Sequence, residues 1–187
     1  MPPALCNARE VGVVDELDAG MKFLLVDRIH ELIPAQRIRA SKALTLSEEY
    51  LADHFPTFPV MPGVLMLEAL TQAAAWLVRV TEDFQHSIVV LSSARNVVYK
   101  SFVVPGRCLD LEVTADRIEP DASEFKGMGR CDGQEMLKAR LTLKHVNLAD
   151  RDASLAALDR RLIEQARARF GLIGGSSGGA VNAASTE

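Results

Sequence analysis

The sequence predicts an α+β fold, in which a mostly antiparallel sheet of five or six strands packs on one long buried helix and a second helix follows. Residues 64–80 are apolar nearly all round, which is typical of a buried helix. In residues 109–115 and 137–143 apolar and polar side chains alternate, which is typical of strands with one buried face. The chain has 187 residues, of which 48% are hydrophobic, and this matches one folded domain.

The other strands are predicted from short β-type segments between turn signals. They are expected at residues 23–30, 38–46, 87–91 and 97–104. Pro105-Gly106 ends the last of these. Two further turns, Pro120-Asp121 and Asp132-Gly133, separate the later strands, and the second is typical of a hairpin because glycine tolerates positive φ.

An amphipathic helix is predicted after the sheet. Its apolar face consists of Leu155, Leu158, Leu162, Ala166 and Phe170, and it should pack on the body of the protein or on a partner. We therefore divide the chain into an N-terminal segment (1–20), a main domain (21–149), this helix (150–170) and a Gly- and Ser-rich tail (171–187). The tail is expected to be disordered.

Charge and cysteine content exclude several classes of function. The chain has 21 Lys and Arg against 25 Asp and Glu, a net charge of −4, so it lacks the basic excess that nucleic-acid binding requires. Its cysteines, Cys6, Cys108 and Cys131, form no C-x-x-C pair. The amino terminus carries acidic residues and no signal-peptide core. A cytoplasmic protein is therefore expected.

Neither a membrane span nor a metal site is expected. Residues 64–80 fall short of the roughly 20 residues that cross a bilayer, and they include Glu68 and Arg79. The histidines His30, His86 and His145 have no metal-ligand spacing, and we interpret them as surface or strand residues. No metal and no organic cofactor are predicted.

The candidate site is the loop that precedes the long helix. Residues 53–63 (DHFPTFPVMPG) contain three prolines, which fix φ repeatedly and make the loop stiff. Gly63 leaves a backbone N–H uncovered at the positive end of a buried helix, a geometry that stabilises an oxyanion. Glu68 lies one turn later, and Gln72 follows it at i+4 on the same face.

These residues carry a resemblance to a known family. The segments FLLVDR (23–28), HFP (54–56), PVMPGV (59–64), LEA (67–69) and QAA (72–74) resemble the β-hydroxyacyl-acyl carrier protein dehydratases of fatty-acid synthesis. The resemblance covers roughly residues 22–146. It implies a hotdog fold, a curved antiparallel sheet wrapped around one helix. It also implies a homodimer, with a trimer of dimers as a further option, whose active sites each take residues from two subunits.

The resemblance also implies roles for individual residues. His54 would be the general base that takes the α-proton of a β-hydroxyacyl thioester, and Glu68 would protonate the leaving hydroxyl. Gly63 would hold the thioester oxygen, and Gln72 would orient Glu68. Glu rather than Asp at this place is similar to the general dehydratases and not to the isomerising branch. Residues expected to line the acyl tunnel are Phe55, Val60, Met61 and Pro62.

Some positions depart from the family pattern, so other functions stay open. The family usually has glycine where this chain has Asp53 and Thr57, and a basic strand where it has residues 96–102. A weakly catalytic or non-catalytic acyl-binding subunit is one alternative. A thioesterase or an enoyl-thioester hydratase on the same fold is another. The sequence leaves open the acyl chain length and whether the acyl carrier is a carrier protein or coenzyme A.

Overall fold

The computed structural model describes residues 23–174. It contains six strands and two α-helices, joined by loops and three short 3-10 turns. The elements are β1 (Arg28–Ile33), β2 (Arg37–Ala43), α1 (Gly63–Thr81), β3 (Ile88–Tyr99), β4 (Cys108–Ile118), β5 (Ala122–Cys131), β6 (Gln134–Val146) and α2 (Ala156–Leu172). The predicted N-terminal segment 1–20 and the tail from residue 175 onward lie outside the described residues.

All six strands form one antiparallel sheet in the order β1-β2-β4-β5-β6-β3. Strands β2 to β6 contact α1, whose face against them is buried, with Leu70, Ala73, Ala74 and Leu77 at 0% exposure. The predicted α+β architecture, with a sheet around one central helix, is confirmed. By length and hydropathy alone α1 could cross a membrane, although 61% of its most apolar window is buried inside the protein.

Several predicted strand boundaries are wrong, and the strand predicted at 38–46 is β2, which ends at Ala43. The segments 87–91 and 97–104 were predicted as two strands, but β3 is one strand that tolerates two irregularities in its pairing with β6. It ends at Tyr99, because the chain then leaves the sheet and the Val103 carbonyl accepts a hydrogen bond from Met61 N at 2.9 Å. At the other end, β1 begins at Arg28 instead of residue 23, because Leu25 bonds to α1.

Helix α2 is anchored to the body at both of its ends. Phe170 is buried, and its ring lies 5.8 Å from the rings of both Trp76 and Phe84. Near its start, the buried Asp159 carboxylate accepts hydrogen bonds from the Ser87 hydroxyl and from two backbone N–H groups in the turn after β6. The predicted packing of this helix on the body is confirmed, although it begins at Ala156 and ends at Leu172 instead of spanning 150–170.

Candidate active site

The loop before α1 holds His54 in one orientation. The loop folds back on itself, since Phe58 N donates to the Phe55 carbonyl at 3.0 Å and Val60 N donates to the His54 carbonyl at 3.1 Å. The His54 ring then contacts the Val60 carbonyl through Nδ1 at 3.0 Å. A carbonyl only accepts, so Nδ1 carries the proton and Nε2 keeps its lone pair. His54 is thus arranged to act as a base through Nε2.

The residues expected to line an acyl tunnel divide into two groups. Val60 and Met61 are completely buried, and Met61 belongs to the hydrophobic core. Phe55, by contrast, is 51% exposed and stacks on the His54 ring at 4.3 Å. Pro62 is half-buried and caps the start of α1. The loop therefore has an apolar inner side and an exposed aromatic outer side.

Gly63 begins α1, and a side chain there would disturb a neighbour. A Cβ atom at this position would lie 3.2 Å from the Tyr99 ring at the end of β3. The first N–H groups of a helix have no partner within the helix and mark its positive end. Gly63 thus combines close approach to an aromatic ring with an N–H suited to an oxyanion. Tyr99 could not be predicted as part of this site from the sequence, because only the sheet brings it to this helix end.

Glu68 is held by the side chain of Gln72. Gln72 Nε2 donates to Glu68 Oε1 at 3.1 Å and to the Phe23 carbonyl at 3.0 Å, while Gln72 Oε1 accepts from Leu25 N at 3.0 Å. The backbone N–H of Leu25 can only donate a hydrogen bond, so the Gln72 side-chain atom that faces it is the amide oxygen. Glu68 itself is half-buried. The amide therefore presents its donor to Glu68 and fixes the carboxylate.

Within one chain, the two candidate catalytic residues, His54 and Glu68, bond to different partners. Among the described residues, His54 bonds to Val60 and Glu68 to Gln72, and no hydrogen bond or ion pair connects His54 with Glu68. The two residues in which the chain departs from the family pattern, Asp53 and Thr57, are both exposed. Neither has a hydrogen bond or ion pair with His54.

Comparison with known proteins identifies the family. Residues 17–141, more than half of the chain, match the FabA-like domain. The chain belongs to the FabA-like domain family. A 3-hydroxyacyl-acyl-carrier-protein dehydratase, FabZ, from Aromatoleum aromaticum is 41% identical over 124 residues, which are 64% of this chain and 85% of that protein. A FabZ dehydratase from Anaeromyxobacter sp. (strain K) is 39% identical over 145 residues, which are 76% of this chain and 91% of that protein.

A solved structure agrees with the FabA-like assignment at the level of the fold. The dehydratase heterocomplex ApeI:P from Xenorhabdus doucetiae superposes with a TM-score of 0.61 and covers 73% of this chain and 91% of that chain. At 14% identity this likeness shows the fold alone. The family resemblance and the hotdog fold that it implies are both confirmed. Helix α2 lies beyond the FabA-like match, which ends at residue 141.

Proposed function

We propose that this chain removes water from 3-hydroxyacyl thioesters carried on acyl carrier protein, and so forms trans-2-enoyl thioesters in the synthesis of fatty acids or related lipids. The observation that carries the proposal is the hydrogen bond from His54 Nδ1 to the Val60 carbonyl, which leaves Nε2 free to accept a proton. The relatives support the carrier-linked substrate, because those at 34–41% identity bear the name of that dehydratase.

Four residues of the candidate site each have a separate role in the proposed reaction. His54 Nε2 takes the proton from Cα, and the thioester oxygen gains negative charge, which the Gly63 N–H and the positive end of α1 stabilise. The electron pair then forms the Cα–Cβ double bond as the Cβ–O bond breaks. Glu68 gives its proton to the departing hydroxyl, which leaves as water, and the proton on His54 later restores Glu68. Gln72 keeps Glu68 in position throughout.

A second copy of the chain would complete the site. Strand β3 lies at one edge of the sheet and has twelve residues, and its Val90, Val98 and Tyr99 side chains are 48%, 39% and 46% exposed. Long apolar edge strands pair with another chain when they are left uncovered. The Tyr99 ring also lies beside Gly63, 3.2 Å from where a Cβ atom on that residue would be, so this edge is continuous with the candidate site. We therefore place the partner copy on β3, where it would bring its Glu68 toward His54.

We place the protein in the cytoplasm, where carrier-linked synthesis would supply the substrate, because its three cysteines show no disulfide pattern.

The first experiment measures hydration of a trans-2-enoyl thioester by the loss of its conjugated ultraviolet absorbance. We expect wild-type turnover to fall by at least about 100-fold in both His54→Ala and Glu68→Gln, since each removes a proton-transfer group. His30→Ala is the matched control, because that histidine is exposed and, among residues 23–174, its side chain bonds only to Ser41 in β2. Absence of wild-type turnover on both carrier-protein and coenzyme A thioesters would instead favour an acyl-binding subunit, and release of free thiol would favour a thioesterase.

Mixed dimers test the shared site. When His54→Ala and Glu68→Gln chains are co-expressed with different tags, a mixed dimer has one intact site if the two groups come from different copies. Random pairing makes half of the dimers mixed, so activity should return to roughly one quarter of wild type. If both groups of a site belonged to one chain, mixing would restore nothing.

A further inference from the structure

A second cluster of ionisable side chains lies at the opposite end of α1 from Gly63. It consists of Glu82, at the end of the helix, His86, in the loop before β3, and His145, in β6. Helix α1 has 19 residues and so separates the two ends by about 28 Å at 1.5 Å per residue. This cluster therefore takes no part in the dehydration.

The three side chains are close enough together to hold one metal ion. Glu82 Oε2 lies 2.9 Å from His86 Nδ1 and 3.2 Å from His145 Nδ1. One ligand atom from each of the three residues falls within 4.8 Å of the others. In a tetrahedral zinc site with bonds of about 2.0–2.1 Å, neighbouring ligand atoms are about 3.3 Å apart. Two of the distances already approach that value.

His145 supplies an independent indication of a ligand. Its side chain is completely buried, and although Nδ1 forms an ion pair with Glu82 Oε2 at 3.2 Å, Nε2 has no hydrogen-bond partner among the described residues. Buried polar groups without a partner are rare and costly.

The backbone around the two histidines is rigid. Val89 pairs with His145 across β3 and β6, which brings the loop that carries His86 beside β6. The Asn147 side chain then accepts from Ser87 N at 2.9 Å and donates to the Gln85 carbonyl at 3.3 Å. Since these two contacts flank His86, the loop is fixed before any metal binds.

We propose that Glu82, His86 and His145 bind one divalent transition-metal ion of the zinc type. Two imidazoles and one carboxylate suit zinc, and water occupies the fourth position. Solvent reaches the site, because the side chains of Glu82 and His86 are 14% and 17% exposed. The ion joins the end of α1, the following loop and β6, and it neutralises Glu82. Its role is to stabilise the fold.

The test uses the full chain, treated with a chelator and then titrated with Co²⁺ and Zn²⁺. We expect one equivalent of Co²⁺ to produce the visible absorption of a tetrahedral N/O site, and Zn²⁺ to displace it. Zn²⁺ at a hundredfold excess over its Kd should raise Tm by about 5–10 °C.

Three variants locate the ion. Glu82→Gln and His86→Gln, both at half-buried positions, should weaken Zn²⁺ binding by at least about 100-fold, as expected when a ligand is lost. His30→Gln, which changes an exposed histidine outside the cluster, should bind as wild type does. Failure of the wild type to bind one equivalent would overturn the proposal. So would binding that survives both cluster variants, or binding that His30→Gln abolishes, since the ion would then lie elsewhere.

Discussion

Replacing the Gln72 side chain tests whether the fold holds Glu68 in position for the proposed reaction. Gln72→Met keeps the length of the side chain and removes its three hydrogen bonds, to Glu68, to the Phe23 carbonyl and to Leu25 N. The variant should turn over more slowly without losing substrate affinity, because Glu68 loses its orienting donor but keeps its carboxyl group.

The expected loss of stability in Gln72→Met depends on which of the former hydrogen-bond partners of Gln72 find no replacement. Leu25 is 1% exposed, so its N–H finds no water, and a buried donor without a partner costs about 1–3 kcal/mol. Phe23 is 49% exposed, and its carbonyl can bond to solvent. For a chain of this size, a loss of about 1–3 kcal/mol in the free energy of unfolding corresponds to a fall in Tm of roughly 2–12 °C. An orienting bond worth about 1.4 kcal/mol in the transition state lowers kcat about tenfold.

The assay compares kcat and KM for enoyl-thioester hydration with calorimetric Tm. Thr71→Val is the matched control, because Thr71 precedes Gln72 on the same helix, is buried, and within the described part of the chain its hydroxyl bonds only to the Leu67 carbonyl. It should leave kcat within about twofold of wild type, since it loses no contact with Glu68. Wild-type kcat in Gln72→Met would refute the role of Gln72 in positioning Glu68, and an unchanged Tm would refute the cost assigned to Leu25 N.

Three other predictions concern the helix ends. Gly63→Ala should lower kcat, measured by steady-state kinetics, about tenfold with little change in Tm. The added Cβ would lie 3.2 Å from the Tyr99 ring and displace the N–H of the proposed oxyanion site. Phe170→Ala should lower the free energy of unfolding, measured by chemical denaturation, by about 3–5 kcal/mol, since it removes a buried ring that packs on Trp76. A loss below about 1 kcal/mol would mean that α2 does not unfold cooperatively with the rest of the protein. Burial raises the pKa of Asp159, but its three hydrogen bonds outweigh this and hold the pKa below its ordinary value. Its stabilisation is therefore present above about pH 4 and lost as pH falls through the folded pKa, so Asp159→Asn should flatten the acid limb of a stability curve; an unchanged limb would contradict this.

The periodicity of apolar residues was sufficient to predict the central helix and two of the strands. An apolar run of helical length identifies α1, and alternation identifies β4 and β6, because burial of one face imposes those periods on any sequence. The long strand β3 was divided in two, since its exposed edge residues carry no regular alternation. Its true end depends on the hydrogen bond between Met61 and Val103, residues 42 positions apart (103 − 61).

The sequence by itself determined the family, the central helix and the candidate residues His54, Gly63, Glu68 and Gln72, because each lies in a short segment whose residue types are informative in order. Only the tertiary structure decided which nitrogen of His54 is free and which atoms hold Gln72, since these depend on backbone groups that the fold brings near.

The same reason explains the cluster at the far end of α1. His86 and His145 are 59 residues apart (145 − 86), so no spacing along the chain indicates a shared site. They meet because β3 pairs with β6, and Glu82 joins them because the helix ends beside that pair. Residues that act together within one short segment can be recognised from the sequence. Residues from separate segments become neighbours only when the sheet forms.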